Sequence, residues 1–114
     1  MPTLVEHYAG HVVLPADTPV AENANLVVEI RDVSLTDAPA PLMATVAIRG
    51  VGIGPGVSIP FSLDGPVVPP GRSFAFQAYL RTGDLGATSS PDFLTTQSIP
   101  AIPGHVVLPV TRIR

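Results

Sequence analysis

The sequence predicts an all-β fold, an antiparallel immunoglobulin-like β-sandwich of about seven strands, and three observations carry that prediction. Apolar and polar residues alternate with a period of two almost from end to end. Short clusters rich in Pro, Gly, Asp and Ser interrupt the alternation, as turns between strands do. No segment holds a 3.6-residue apolar period for the dozen or so residues that a stable helix wants. Residues 1–114 read as one domain, long enough to bury roughly two-thirds of the surface its unfolded chain exposes.

The first strand is predicted at HVVLP, residues 11–15, with Val12 and Leu14 inward and His11, Val13 and Pro15 opposite. After the PADTP turn, NLVVEIRDV sets Leu26, Val28 and Ile30 against Glu29 and Arg31. RDVSLTDAPAPLMA then reads as a rigid hairpin or inter-sheet corner. There Asp32 and Ser34 can close an Asx- or Ser-type turn on nearby amides, and Asp37 can open the next. LMATVAIR places Leu42, Ala44, Val46 and Ile48 inward, with Thr45 and Arg49 outward.

GVGIGPG, residues 50–56, is read as a flexible hairpin connection. VSIPFSL follows with Val57, Ile59, Phe61 and Leu63 inward and Ser58, Pro60 and Ser62 outward. SFAFQAYLR sets Phe74, Phe76, Ala78 and Leu80 against Gln77, Tyr79 and Arg81. Short helical turns are allowed after Pro69 and near Asp84. A weaker strand, DFLTTQSI, precedes the second HVVLP at residues 105–109, where Val106 and Leu108 face in. The predicted core is Leu26, Val28, Ile30, Val46, Ile48, Ile59, Phe61, Phe74, Phe76 and Leu80.

The two HVVLP copies lie nearly a chain length apart, too far for tandem modules, which recur every 20 to 50 residues or so. They read as similar solutions for first and last strands lying side by side near an edge. Proline cannot donate to a ladder, so the strands of Pro15, Pro60 and Pro109 are expected at or near sheet edges. Such prolines block pairing between copies of the protein. An edge without Pro is then where a partner peptide could add a strand.

Composition excludes several classes of function. Charged residues make up 13% and the net charge is −3, whereas a nucleic-acid surface needs clustered cations. All six cations are Arg, and they are scattered. No Cys is present, so disulfides, thiolate metal sites and a Cys nucleophile are out. No apolar run approaches the ~20 residues of a membrane span. The opening MPTLVEHYAG lacks a signal-peptide pattern. It reads either as a cytoplasmic start or as a chain whose export signal has been removed.

No catalytic, cofactor-binding or metal-binding residues are assigned. His7 and His11 share a face, but four strand residues put them roughly 13 Å apart, too far for one metal. His11 and His105 could meet only if their strands pair in parallel and in register. A metal would still need a third ligand, for which Glu6 or Asp17 is a guess. The glycines of residues 50–56 lack the Lys-Ser/Thr and helix of a phosphate loop. Ser34, Ser58, Ser62, Ser89, Ser90 and Ser98 all fall outside G-x-S-x-G. Asp32, Asp37, Asp64 and Asp84 sit at turns, where Asp commonly bonds local backbone.

The order LP, LVVEIRDVSLTDAPA, IPFSL, FAFQAYLRTGDL resembles the YbaY/YscW-like domain over roughly residues 10 to 114. Its most specific pieces are Asp32-Val33-Ser34 with Asp37-Ala38-Pro39, supported by Ile59-Pro60-Phe61. The resemblance implies a bacterial envelope β-sandwich of the group that includes type III secretion lipoprotein chaperones, or pilotins. Pilotin-type members bind a secretin subunit and help it reach and assemble in the outer membrane. Members commonly carry a signal peptide and a lipidated Cys, which this sequence lacks. No catalytic residues come with the resemblance. A non-enzymatic binding or structural domain is therefore expected, with a small-ligand binder between the sheets as the second reading and a hydrolase a distant third.

Overall fold

The computed structural model describes residues 5–35, 38–82, 93–95 and 99–113. Among them it forms nine strands and no helix: β1 (Val5–Val13), β2 (Ala21–Asp32), β3 (Leu42–Ile53), β4 (Ser58–Pro66), β5 (Phe74–Arg81), β6 (Phe93–Leu94), β7 (Ile99–Pro100), β8 (Gly104–Pro109) and β9 (Thr111–Arg112). Accordingly, none of the described residues forms a helix long and apolar enough to cross a membrane. Asp37, Asp84, Ser89, Ser90 and Ser98 lie outside the described residues, as do Asp92, Thr96 and Gln97 of DFLTTQSI; of that segment, Phe93 and Leu94 form β6 and Ile99 begins β7.

Alternation folds the chain into two sheets that bury their apolar faces against each other. The smaller sheet has the order β4-β1-β8, and the larger runs β3-β2-β5-β6-β9 with β7 also on β5. All ladders are antiparallel except that between β1 and β8. The antiparallel expectation fails there because the chain passes through most of the larger sheet, and β4, between the two strands. That excursion is the crossover a parallel pair requires.

The core holds Leu26, Val28, Ile30, Ile59, Phe61, Phe74, Phe76 and Leu80, as the alternation predicts. At its centre the Phe76 ring meets Tyr8 and Phe61 edge to face, with centroids 5.9 and 5.8 Å away. Tyr8, Phe93, Ala101 and Val110 are also buried. Val46, Ile48 and Val106 are only half-buried and pack against this core. Their strands, β3 and β8, have a neighbour on one side only. Leu42, expected inward, is 47% exposed at the start of β3.

Glu29 departs furthest from its expected outward place, with only 6% of its surface exposed. Arg31 Nε donates to it at 3.0 Å and the Tyr79 hydroxyl at 2.9 Å. Strand alternation places Glu29 on the outer face, and these two neighbours then cover it. Desolvation and the Glu29 hydrogen bond together raise the Tyr79 pKa.

The connections also differ in part from their sequence reading. Residues 50–53 extend β3, and the turn is confined to 54–57, where Val57 N donates to Gly54 O at 3.2 Å. Pro55 and Gly56, the latter at φ 68°, give the pattern of a type II turn. It is no hairpin, because β3 and β4 belong to different sheets. After Pro69 the expected helical turn is instead a β-turn, closed by Arg72 N to Pro69 O at 3.1 Å. Pro70 and Gly71, at φ 80°, occupy its centre.

A sheet corner and an open seam as candidate functional site

The prolines divide the sheet edges. Pro60 lies in β4 and Pro109 in β8, both edges of the smaller sheet. The expectation for Pro15 needs correcting. Its strand, β1, is the middle strand of that sheet, and Pro15 lies beyond its end at Val13. There the Pro15 carbonyl accepts from the Thr18 amide and hydroxyl, at 3.2 and 2.7 Å. Among the described residues, the long edge without Pro is β3, twelve residues from Leu42 to Ile53.

β3 runs past β4, the edge of the other sheet, with no ladder between them. At one end the two strands are in tight contact. A Cβ on Gly65 would stand 3.1 Å from that of Ala44. At the other end the Gly54 turn joins them. Between these closures the seam opens into a cleft of ≈ 350 Å³ lined by Val46, Ile48, Pro60, Phe61 and Ser62. Its lining side chains are apolar apart from the Ser62 hydroxyl. Next to it, β3 offers backbone donors and acceptors that no second strand among the described residues takes up.

A second concavity of ≈ 430 Å³ lies at the base of β5, between Phe74, Val33, Val68 and Ala101. Arg72 and Ser73 supply its polar side chains. The Arg72 side chain and the Ser73 backbone are committed to a sheet corner. The Ser34 amide and hydroxyl donate to Asp32 Oδ1, and the Ser73 amide donates to the Ser34 hydroxyl at 2.9 Å. Arg72 reaches Asp32 at 3.3 Å. The Ser34 hydroxyl and amide, and then Arg72, hold the Asp32 carboxyl below the usual carboxylate range. The turn expected from Asp32 and Ser34 is present, and it also fixes β2 to the start of β5.

Sequence reasoning missed this groove because its walls come from DGPVVPPG and PAIPG, which read simply as turns. The available signal was apolar residues inside those turns; Ile102 is 63% exposed and Val67 39%. Of the residues weighed and set aside as ligands, the structure brings His11 and His105 together, 2.8 Å apart, at positions offset by two residues in paired strands. His7 instead bonds Asp64 at 2.8 Å. Ser58, Ser62 and Asp64 lie on the outward face of β4. Among the described residues, no buried side-chain polar atom lacks a partner, and no three His, Cys, Asp or Glu groups converge. Neither concavity gathers the polar groups that enzymatic chemistry requires.

A family model described as type III secretion system lipoprotein chaperone (YscW) matches residues 5–102. Among solved structures, an alternative pilotin from the type II secretion system of Vibrio cholerae has the same fold, with a TM-score of 0.79. It is 20% identical, and the match covers 96% of this chain and 98% of that one. No curated protein matches the chain.

Proposed function

The chain belongs to the family of type III secretion system lipoprotein chaperones, a family of chaperones and not of enzymes, and from that premise we propose that it binds an extended segment of an envelope protein along β3. The 114 residues act as one domain in this reading. The partner is a secretin subunit, the class that pilotin-type members bind, and the place of action is the bacterial envelope. The segment adds as a strand to the free edge of β3, its backbone completing the ladder. Alternate side chains enter the cleft over Val46, Ile48 and Phe61.

One observation carries the reading: the long Pro-free edge borders the apolar cleft between the sheets. Backbone affinity and side-chain selectivity are therefore offered at one place. A net charge of −3 without clustered cations supports a protein partner over nucleic acid.

The test is amide exchange with and without peptides that tile the secretin subunit. Protection should rise along β3 and leave β4 and β8 unchanged. Protection confined to Val68, Phe74 and Ala101 would move the site to the groove at the base of β5. That groove supports the second reading, a small apolar ligand, because its ≈ 430 Å³ falls within the size range of small-molecule sites.

A further inference from the structure

All three histidines stand on the outer face of the small sheet, and two of them touch. The copies of HVVLP lie in neighbouring parallel strands, with His11 opposite Val107 and Ala9 opposite His105. This offset brings the rings to a centroid distance of 4.6 Å with a 49° angle between their planes. Nδ1 of His11 and Nε2 of His105 share a hydrogen bond of 2.8 Å, open to solvent. The nearest cross-strand neighbours on this face are Ala9, Val107 and, across from His11, Pro60. None of these carries a charge. Asp64, the carboxylate on that face of β4, is engaged by His7.

Two points in the sequence stand against a metal: the strands must be in register, and a third ligand is missing. The first falls, because an offset of two residues brings the rings together. The second depends on the metal. Two imidazole nitrogens each about 2.0 Å from one ion stand about 2.8 Å apart at a right angle and about 3.3 Å apart at the tetrahedral angle. The observed 2.8 Å is the right-angle spacing. Adjacent positions at a right angle belong to square-planar and tetragonal ions, and cupric ion is both tetragonal and the tightest binder among the divalent first-row metals.

We propose that His11 and His105 form a bidentate chelate for cupric ion on the outer face of the small sheet. The hydrogen now between the two nitrogens moves, by exchange with solvent, to the other nitrogen of the same ring. Both rings stay neutral, and each donates one lone pair to the ion. Water completes the plane, so no third protein ligand is needed. The bound ion ties the edge strand β8 to β1.

The test is titration of the intact protein with cupric chloride in a non-coordinating buffer at neutral pH, followed by calorimetry and electron paramagnetic resonance. One ion per chain is expected, with hyperfine structure from two imidazole nitrogens. His11→Ala and His105→Ala should each weaken binding at least about 10–100-fold, the range already seen when a mere outer-shell partner is lost. His7→Ala should bind as the parent does. Copper should also raise the thermal midpoint of the parent and of His7→Ala but not of the other two, because the chelate exists only when β1 and β8 are paired. The side chains are solvent-facing, and circular dichroism checks that all three variants keep their strand content. Binding unchanged in either His11→Ala or His105→Ala, binding lost in His7→Ala, or zinc held more tightly than copper would overturn the proposal.

Discussion

The two flanks of the sandwich are closed by different means. On one, a single stretch of chain serves both sheets: β8 pairs with β1, and β9, starting one residue after β8 ends, pairs with β6. Pro109 ends β8 opposite Val13, and the Val110 amide that follows donates to Val13 O at 3.1 Å. Leu108 and Val110 on this stretch are buried. On the other flank, β3 and β4 pass each other with side chains alone between them, and Val46 and Ile48 stay half-buried. Backbone bonds fix the first flank, whereas the second is held by packing and keeps an unused edge.

The largest effect should come from the residue that both flanks share. Phe76 touches Tyr8 and Phe61 across the core and has no exposed surface, so Phe76→Ala should cost ~3 to 5 kcal/mol in chemical denaturation. A variant curve matching the parent would remove the common core on which the contrast stands.

Two glycines then separate the flanks. A Cβ at Gly10 would lie 2.0 Å from the carbonyl oxygen of Val106, part of the β8 backbone. Gly10→Ala must push β8 away from β1, at the upper end of the ~1 to 3 kcal/mol typical of overpacking or beyond it. At Gly65 the nearest atom is the Ala44 Cβ at 3.1 Å, which a few tenths of an ångström of movement in β3 relieves. Gly65→Ala should therefore cost less than about 1 kcal/mol, below the usual overpacking range. Equal losses in the two variants would mean that the seam is as rigid as the closed flank.

The smallest effect belongs to the corner between β2 and β5, which is bonded like the closed flank but lies at the surface. Asp32 titrates lower when folded than the unfolded value of about 3.9. Its contribution is complete above that value and fades as pH falls through the lower, folded one. Stability measured from pH 5 downward should drop less steeply in Asp32→Asn than in the parent. Parallel profiles would detach this corner from the stability of the fold.

The sequence showed most of this where a local pattern decides the structure. Leu26, Val28 and Ile30 alternate in a strand with neighbours on both sides, so their burial follows directly. Val46 and Ile48 alternate just as well but lie at an edge, and periodicity does not report how many neighbours a strand has. Glu29 looked solvent-facing because its cover comes from Tyr79, fifty residues away in the chain. The Pro rule pointed to an open edge without saying which strand provides it; pairing made it β3. The His11–His105 contact depends on a two-residue offset between strands almost a chain length apart, which no local signal encodes. The groove at the base of β5 is built from turns, where there is no period to read.

The parallel pairing of β1 with β8 also sets an order of events. β1 is the middle strand of its sheet, yet neither neighbour follows it directly: β4 comes after two strands of the other sheet, and β8 comes near the end of the sequence. Contacts so distant along the chain form slowly, because loop-closure entropy is spent before they stabilise anything. A chain emerging from a ribosome or a translocation channel, N-terminus first, can assemble β2, β3 and β5 early. It must then hold β1 with one side unfilled until β8 arrives. Until that moment the protein presents a free edge on β1 as well as on β3, and only the arrival of β8 reduces the choice for an incoming strand.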